Sequence, residues 1–572
     1  MFWFLIIFLL NIAGFWINQH QYYFVSIDVC VLLSLGSLFL NNQISIAITA
    51  WSLLKREDYR RQKLQFNLAI VSDIFRLFSF VFAILWFLRW YRADSDIGLG
   101  TPHQHDLAYL NAFLLCTILS YIMDAKRLSR LLQKVQFTSG RQALIHFIIV
   151  IFVGAFLLMM PFSIQHNQTI SLIDAFFLSV SALSVTGLSP VDISTVLTGW
   201  GLFILLILIQ LGGLGVVMLT IGLSVATSKR LSMNSIFLGQ DNFLIKNIGD
   251  VRKFLVQVVA ITFAVEFIGA FLLYISFPLN LQNRVFSSIF HSVSAFCNAG
   301  FSLYASSAHD SAFTNGGVFI LCVLIIMGGI GFPVIIEIGK MINHRKFSMN
   351  ALSPQTRLAV KASTFLLFSG ALMFFVFDSL DTSSSLSIGE RLLNSAFYSV
   401  SSRTAGFSLY PLDKMSEAFQ FLFIILMVIG ASPSSTGGGI KTTTVGILYA
   451  TVKSVVLSRD QTVIYGRSVP LDVIRKSLAI IFLYLGFAGI ALMILIITEN
   501  LTIIELITET VSALSTVGSS LNVTARLSVF GKIVIMLLML IGRFGILSLV
   551  MNTLEKDKKS FLKYPEDNFN IG

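Results

Sequence analysis

The sequence predicts an all-α membrane protein, built as four tandem helix–pore-helix–helix repeats around a pseudo-fourfold pore and preceded by an N-terminal multi-span block. Three observations predict it. Hydrophobic residues fill 55% of the 572 positions and charged residues only 12%, against roughly 25% charged residues in an average soluble chain. Apolar runs of about 20 residues, enough for a helix to cross a ~30 Å hydrocarbon layer, recur along almost the whole length. One short phrase returns four times at near-constant spacing, the mark of an internal repeat.

The charge distribution supports a membrane rather than a nucleic-acid partner. Forty Lys and Arg against 29 Asp and Glu give +11, but a nucleic-acid surface would gather the bases in one patch. They sit instead in short segments between apolar runs, as Lys126, Arg127, Arg130 and Lys134, then Lys229 and Arg230, then Arg345 and Lys346. That is the positive-inside pattern of cytoplasmic loops. Cys30, Cys116, Cys297 and Cys322 show no paired or metal-ligand spacing and read as small buried hydrophobes.

The first element, residues 1–141, holds candidate spans near 2–17, 22–51, 66–90 and 107–123, followed by a cytoplasmic linker. Met1 to Phe15 lacks the basic region and the cleavage site of a removable signal peptide, so it reads as a retained helix. Lys55, Arg56, Arg60, Arg61 and Lys63 place the loop after the second span in the cytoplasm, and the N-terminus with it. His103, His105 and Asp106 share an outward loop that fits a metal ion or plain solvation, with no further ligands nearby.

The four repeats follow at 142–230, 231–345, 346–458 and 459–553, with a cytoplasmic tail over 554–572. Their phrases read SVSALSVTGLS from Ser179, SVSAFCNAGFS from Ser292, SVSSRTAGFS from Ser399 and TVSALSTVGSS from Thr510. The glycines Gly187, Gly300, Gly406 and Gly518 recur about every 110 residues. In each repeat an apolar span leads to a half-length amphipathic segment ending in the phrase, then to a second apolar span; in the first these fall near 142–161, 171–186 and 200–227. The half-length segment is too short to cross, so it must enter and return on one side. Lipid permits that only where the non-helical backbone is buried in protein or lines water. No Lys or Arg lies between Pro161 and Ser228, whereas Lys229, Arg230, Lys246, Arg252 and Lys253 fill the next connection. The phrases therefore face outward. Four spans plus two per repeat make twelve crossings and leave both termini cytoplasmic, in keeping with Lys556, Lys558, Lys559 and Lys563.

The glycine phrases suit a cation. A dehydrated cation needs close oxygen ligands, and backbone carbonyls supply them without formal charge. Glycine opens the necessary backbone conformations and lets four chains approach one axis. The pore-helix C-termini add a partial negative charge. The candidate ion-binding carbonyls belong to Val185, Thr186 and Gly187, to Asn298, Ala299 and Gly300, to Thr404, Ala405 and Gly406, and to Thr516, Val517 and Gly518.

The third repeat carries a polar break after its phrase, ASPSSTGGGIKTTT, which the other repeats lack at this point. Unwound stretches at membrane depth line cavities where ions bind or are gated. The candidate gate is Ser434, Ser435, Thr436, Gly437, Gly438 and Gly439 with Lys441; a kinked helix is the structural alternative. A phosphate-binding loop is excluded, because Ile440 separates Gly439 from Lys441 and no preceding strand is present.

With these phrases, QLGGLG at Gln210, GGIGFP at Gly328, RTAGF at Arg403, STGGGIKTTT at Ser435 and GRFGIL at Gly542, the chain resembles the Trk/Ktr/HKT superfamily of potassium transporters over about residues 142 to 553. The resemblance implies a pore-forming subunit in the plasma membrane, the inner membrane of a bacterium. It also implies a homodimer and a TrkA/KtrA-like cytoplasmic nucleotide-binding regulatory ring from a separate chain. The broken third-repeat helix becomes an intramembrane gate beneath the filter. Glycine at all four filter positions goes with potassium in this family and serine at the first with sodium, so Gly187 points to potassium. The family's membrane-embedded arginine falls on Arg543, which reads as a functional pore charge or as half of an ion pair, for example with Glu509. The N-terminal block is longer than most bacterial members carry.

Glu266 and Glu337 lie at or near apolar spans, where a proton or sodium site and a structural pairing both fit. Asp174 and Glu390 lie near pore-helix starts, where a carboxylate favours the helix dipole. Neither a nucleotide-binding domain nor a convergent His or carboxylate pair is present, so the reading is a transporter with no enzymatic activity and no cofactor.

Overall fold

A computed structural model of the protein describes residues 139–545, apart from 166–167, 216–247, 279–282, 305–313, 346–347 and 381–386. They belong to the second of two compact units, Phe137–Gly572. The N-terminal spans, the loop of His103, His105 and Asp106, Cys30, Cys116 and the C-terminal lysines lie outside the described residues.

The first repeat comprises α1 (Ser139–Leu158), the half-length α2 (Leu172–Ser184) and α3 (Gly199–Gly213). The second comprises α4 (Ile248–Ser276), α5 (Arg284–Phe296), α6 (Asn315–Gly329) and α7 (Phe332–Asn343). The third comprises α8 (Pro354–Leu380), α9 (Ile388–Ser401), α10 (Glu417–Val428) and α11 (Thr442–Val456). After a two-stranded hairpin, β1 (Val463–Ile464) and β2 (Arg467–Ser468), the fourth has α12 (Leu471–Thr498), α13 (Ile503–Ser515) and α14 (Val529–Phe544). Tyr465 and Gly466 both take positive φ in the hairpin's two-residue turn, the geometry that matches the right-handed twist of its strands.

Sequence chemistry sets the helix lengths. Three of the half-length helices start at hydroxyl caps: Ser171 accepts from the Asp174 amide, and Ser387 with Glu390 and Thr502 with Glu505 form full capping boxes. Each runs 13 or 14 residues, about 20 Å at 1.5 Å per residue and short of the hydrocarbon thickness. The opening helices differ. α4, α8 and α12 contain the three stretches long and apolar enough to cross a membrane among the described residues. They expose stripes such as Phe263, Phe267, Phe271 and Ile275, and Phe365, Phe368 and Leu372, all fit for lipid.

Each half-length helix packs against the opening and closing helices of its own repeat and also against the closing helix of the repeat before it: α3 on α5, α6 on α9, α10 on α13, and α14 back on α2. The chain order thus closes into a four-membered ring.

The closing spans correct the sequence reading. They are not continuous, and the third repeat is not alone in breaking. α3 stops at Gly213 with Gly215 at φ 89°, and α14 stops at Phe544 with Gly545 at φ 80°. α6 bends by 102° into α7 at Gly331, φ 98°. Gly215, Gly331 and Gly545 end these helices in positive-φ backbone, which a side chain disfavours. Between α10 and α11 the third repeat has a longer break than the second has between α6 and α7.

Candidate functional site

The four glycine phrases meet at the centre of the ring. Each half-length helix ends, and the next residues follow one pattern: positive φ at Val185, Asn298, Thr404 and Thr516, negative φ at the residue after, and positive φ at Gly187, Gly300, Gly406 and Gly518. Alternation of this kind turns successive carbonyls toward one side of the strand. The glycines show how tightly the strands converge. A Cβ on Gly187 would collide with the carbonyl of Ala299, one on Gly300 with Ala405 at 2.6 Å, one on Gly406 with Val517, and one on Gly518 with Thr186. Each repeat thus lays its glycine against the carbonyl of the next, and the fourth returns to the first. All twelve sequence-predicted carbonyl residues are brought together, and all are wholly or largely buried.

The serines of the phrases build this ring, and sequence reasoning had passed over them. The first serine pins the half-length helix to the opening helix of its repeat: Ser179 donates to Ile151 O at 2.8 Å, Ser292 to Glu266 O at 2.7 Å and Ser399 to Leu367 O at 2.8 Å. The second holds the strand as it leaves the helix. Ser181 and Ser512 accept from the amides of Gly187 and Gly518 at 3.0 Å, while Ser294 and Ser401 donate to the carbonyls of Phe301 and Phe407. These seven serine hydroxyls position backbone, as buried polar groups seek partners. Behind them, Gly212, Gly328 and Gly542 let the closing helices touch the carbonyls of Leu183, Phe296 and Leu514.

The loop Ser434–Gly439 passes directly against the ring. A Cβ on Gly437 would strike Thr404 Oγ1 and one on Gly438 would strike Thr516 Oγ1. Its ends are joined, with Gly430 N donating to Ile440 O at 3.0 Å and Ile440 N to Val428 O at 3.3 Å. Small residues alone suggest a loosely held segment, but the backbone bonds show otherwise. Ser432 N donates to Gly329 O at 3.0 Å, Thr436 N to Gly328 O at 3.3 Å, and Phe332 N to Ser434 O at 3.1 Å. Lys441 turns back into the loop, its Nζ 2.6 Å from Gly437 O and 3.4 Å from Gly438 O, and so serves neither as an interfacial anchor nor as a detached charge.

Arg543 bridges repeats. Its guanidinium donates to Thr436 O of the loop and to Gly212 O of the first repeat. The expected pairing with Glu509 does not form: Glu509 instead accepts from Thr524 Oγ1 at 2.5 Å. Arg543 occupies the place of Gly213, Gly329 and Ala431, each of which directly follows the glycine at the end of its closing helix. That correspondence was available in the sequence as a second recurring phrase, about 25 residues after each filter glycine.

The remaining acids are structural in their contacts. Glu337 accepts from Ser353 N at 2.6 Å and Ser353 Oγ at 2.9 Å, tying α7 to the start of α8. Glu266 accepts from Gln210 Nε2 at 3.0 Å and lies 3.7 Å from Cys297 Sγ. Glu390 caps α9. Asp174 does more than cap α2, since Lys532 Nζ of α14 lies 2.7 Å from it across the seam between the fourth and first repeats. No peptide linkage crosses that seam, and the pair is largely shielded. Asp174→Asn should cost about 2 kcal/mol, between the limits for exposed and buried pairs, and lower the melting temperature by several degrees. The exchanged pair Asp174→Lys with Lys532→Asp should recover most of the loss; equal melting of Asp174→Asn and wild type would show the pair to be idle.

The family model described as TrkH, cation transport protein, matches residues 106–563. The chain is 34% identical over 459 residues to the Ktr system potassium uptake protein B of Vibrio alginolyticus, covering 79% of this chain and 98% of that one. It is 32% identical over 437 residues to the potassium/sodium uptake protein NtpJ of Enterococcus hirae, covering 74% of this chain and 95% of that one. Among solved structures, the potassium transporter TrkH from Vibrio parahaemolyticus shares the fold, with a TM-score of 0.60 at 20% identity over 85% of this chain and 98% of that one.

Proposed function

The chain belongs to the TrkH family of cation transport proteins, and from that premise we propose that it takes up potassium across the plasma membrane through the ring of carbonyls at its centre. The observation that carries this reading is the cyclic contact of Gly187, Gly300, Gly406 and Gly518 with the carbonyls of Ala299, Ala405, Val517 and Thr186. Four converging carbonyl strands can replace the hydration shell of a monovalent cation. The protein would act without enzymatic chemistry and without a resident cofactor, potassium being cargo.

The loop Ser434–Gly439 is the gate in this reading, latched by Arg543 and lying on the cytoplasmic side of the ring. A homodimer and a separate nucleotide-binding regulatory ring in the cytoplasm complete the assembly that the family resemblance implies. The site is a bacterial inner membrane, with the ring facing outward and both termini inside.

Purified protein in liposomes tests the central claim, with uptake of potassium, rubidium and sodium followed under imposed gradients. Potassium and rubidium should enter in preference to sodium. Equal entry of sodium would favour a poorly selective channel, in the direction of the relative named for both ions. Orientation has its own test in a background without the native cysteines. Single cysteines at the exposed Gln168 and Glu417 should react with an impermeant thiol reagent applied outside intact cells. Cysteines at the exposed Arg459 and Arg467 should react only after permeabilisation; the opposite pattern would invert the topology.

A further inference from the structure

Arg403 opens the RTAGF phrase, one residue before Thr404, and neither the ring nor the loop uses its charge. The side chain is 8% exposed. Its Nη1 donates to Ser363 O at 3.4 Å and its Nη2 to Ser363 Oγ at 3.2 Å, while Nε has no partner among the described residues. Neither described ion pair involves it. It lines a cavity of about 30 Å³ between the second and third repeats, walled also by Ile326, Gly329, Ser363, Leu367 and Ala431. We propose that this cavity binds a monatomic anion, chloride in the cell, as the counter-ion of Arg403.

Charge makes the case first. A guanidinium stays protonated in a protein, and a buried charge that is neither paired nor fully hydrogen-bonded is costly. The C-terminal end of α9 offsets part of that charge but supplies no acceptor to Nε. The other repeats place neutral groups at the equivalent position, and each finds a local partner. Ser184 Oγ lies 2.7 Å from Thr186 Oγ1, Ser515 Oγ 2.7 Å from Tyr484 OH, and Cys297 Sγ 3.7 Å from Glu266. Only the third repeat introduces a cation, beside strands that would themselves hold cations. An anion on the far side of Arg403 cancels the repulsion.

Size then narrows the ligand. A cavity needs at least about 10–15 Å³ to admit one water-sized sphere, so about 30 Å³ has room for a monatomic ion. The wall is mostly aliphatic, which suits a large, weakly hydrated ion over a doubly charged one. Because Ala431 begins the Ser434–Gly439 loop region and Gly329 accepts from Ser432 N at 3.0 Å, the anion would brace the loop against the second repeat.

The test reads binding, not flux, so it stands or falls apart from the reading of the ring as a filter. Full-length protein is melted in potassium gluconate and in potassium chloride at the same ionic strength, about 150 mM. Chloride and bromide should raise the melting temperature saturably by a few degrees, as a ligand of the native state does. Arg403→Gln should abolish the rise and Arg403→Lys should retain part of it. If Arg403→Gln does not insert stably, diffraction from bromide-grown crystals of the wild type decides, with an anomalous peak expected within hydrogen-bonding distance of Nε. Absence of any halide effect on the wild type, an equal effect on Arg403→Gln, or a cavity filled by water alone in bromide would overturn the proposal.

Discussion

Replacing Gly187 by serine should lower the preference for potassium over sodium about tenfold or more, the largest single effect expected of a point change in this chain. Two costs combine. Gly187 sits at φ 96°, where a side chain is strained by ~1–3 kcal/mol. The added Cβ would also overlap the carbonyl of Ala299, with Gly300 Cα 3.2 Å away. The strand must withdraw, and the carbonyl of the second repeat must tilt with it. Since about 1.4 kcal/mol is a factor of ten, even partial relief leaves a ring of the wrong size for a dehydrated potassium ion. Rubidium uptake into liposomes under sodium competition measures the ratio. An unchanged ratio in stably inserted protein would remove Gly187 from the selecting element.

The ring was legible in the sequence because its determinants are local and repeated. Four phrases with glycine at one position specify a helix end followed by left-handed backbone, and the structure places all four at one centre. The helix breaks were harder to read. QLGGLG and GRFGIL lie inside apolar runs long enough to pass as continuous spans, and hydropathy does not register that Gly215 and Gly545 turn left-handed. Arg543 was legible as a membrane charge, yet not its partners. A guanidinium seeks any dense set of acceptors, and here it finds the Thr436 carbonyl of the loop and the Gly212 carbonyl at the end of α3. Glu509 is adjacent in no such sense, being occupied by Thr524. The pairing of Lys532 with Asp174 spans the closure of the ring, a contact that only the cyclic packing of α14 on α2 creates.

Deleting Ser434–Gly439 should raise ion flux by at least about tenfold, the change in rate for some 1.4 kcal/mol of lost barrier, while leaving the preference for potassium nearly intact. A ring that selects does not by itself stop ions, so a closed state needs an obstruction below it. This loop stands against Thr404 and Thr516, its glycines packed where a Cβ would overlap their hydroxyls. The deletion is structurally mild, because the stems already meet: Gly430 and Ile440 pair backbone to backbone, so Pro433 can rejoin Ile440 without drawing α10 from α11. What the deletion removes is the latch. Thr436 bonds to Gly328 O through its amide and receives Arg543 at its own carbonyl, so three repeats lose their shared tie at once. Arg543 would keep only Gly212 O, and Lys441 would lose both of its acceptors. Selectivity should survive, because the serines that hold the glycine strands bond within their own repeats and none bonds to the deleted segment. If the deleted protein inserts and melts normally yet its flux is unchanged or lost, the loop is not an obstruction. The break between α10 and α11 would then be a kink that holds the helices in place.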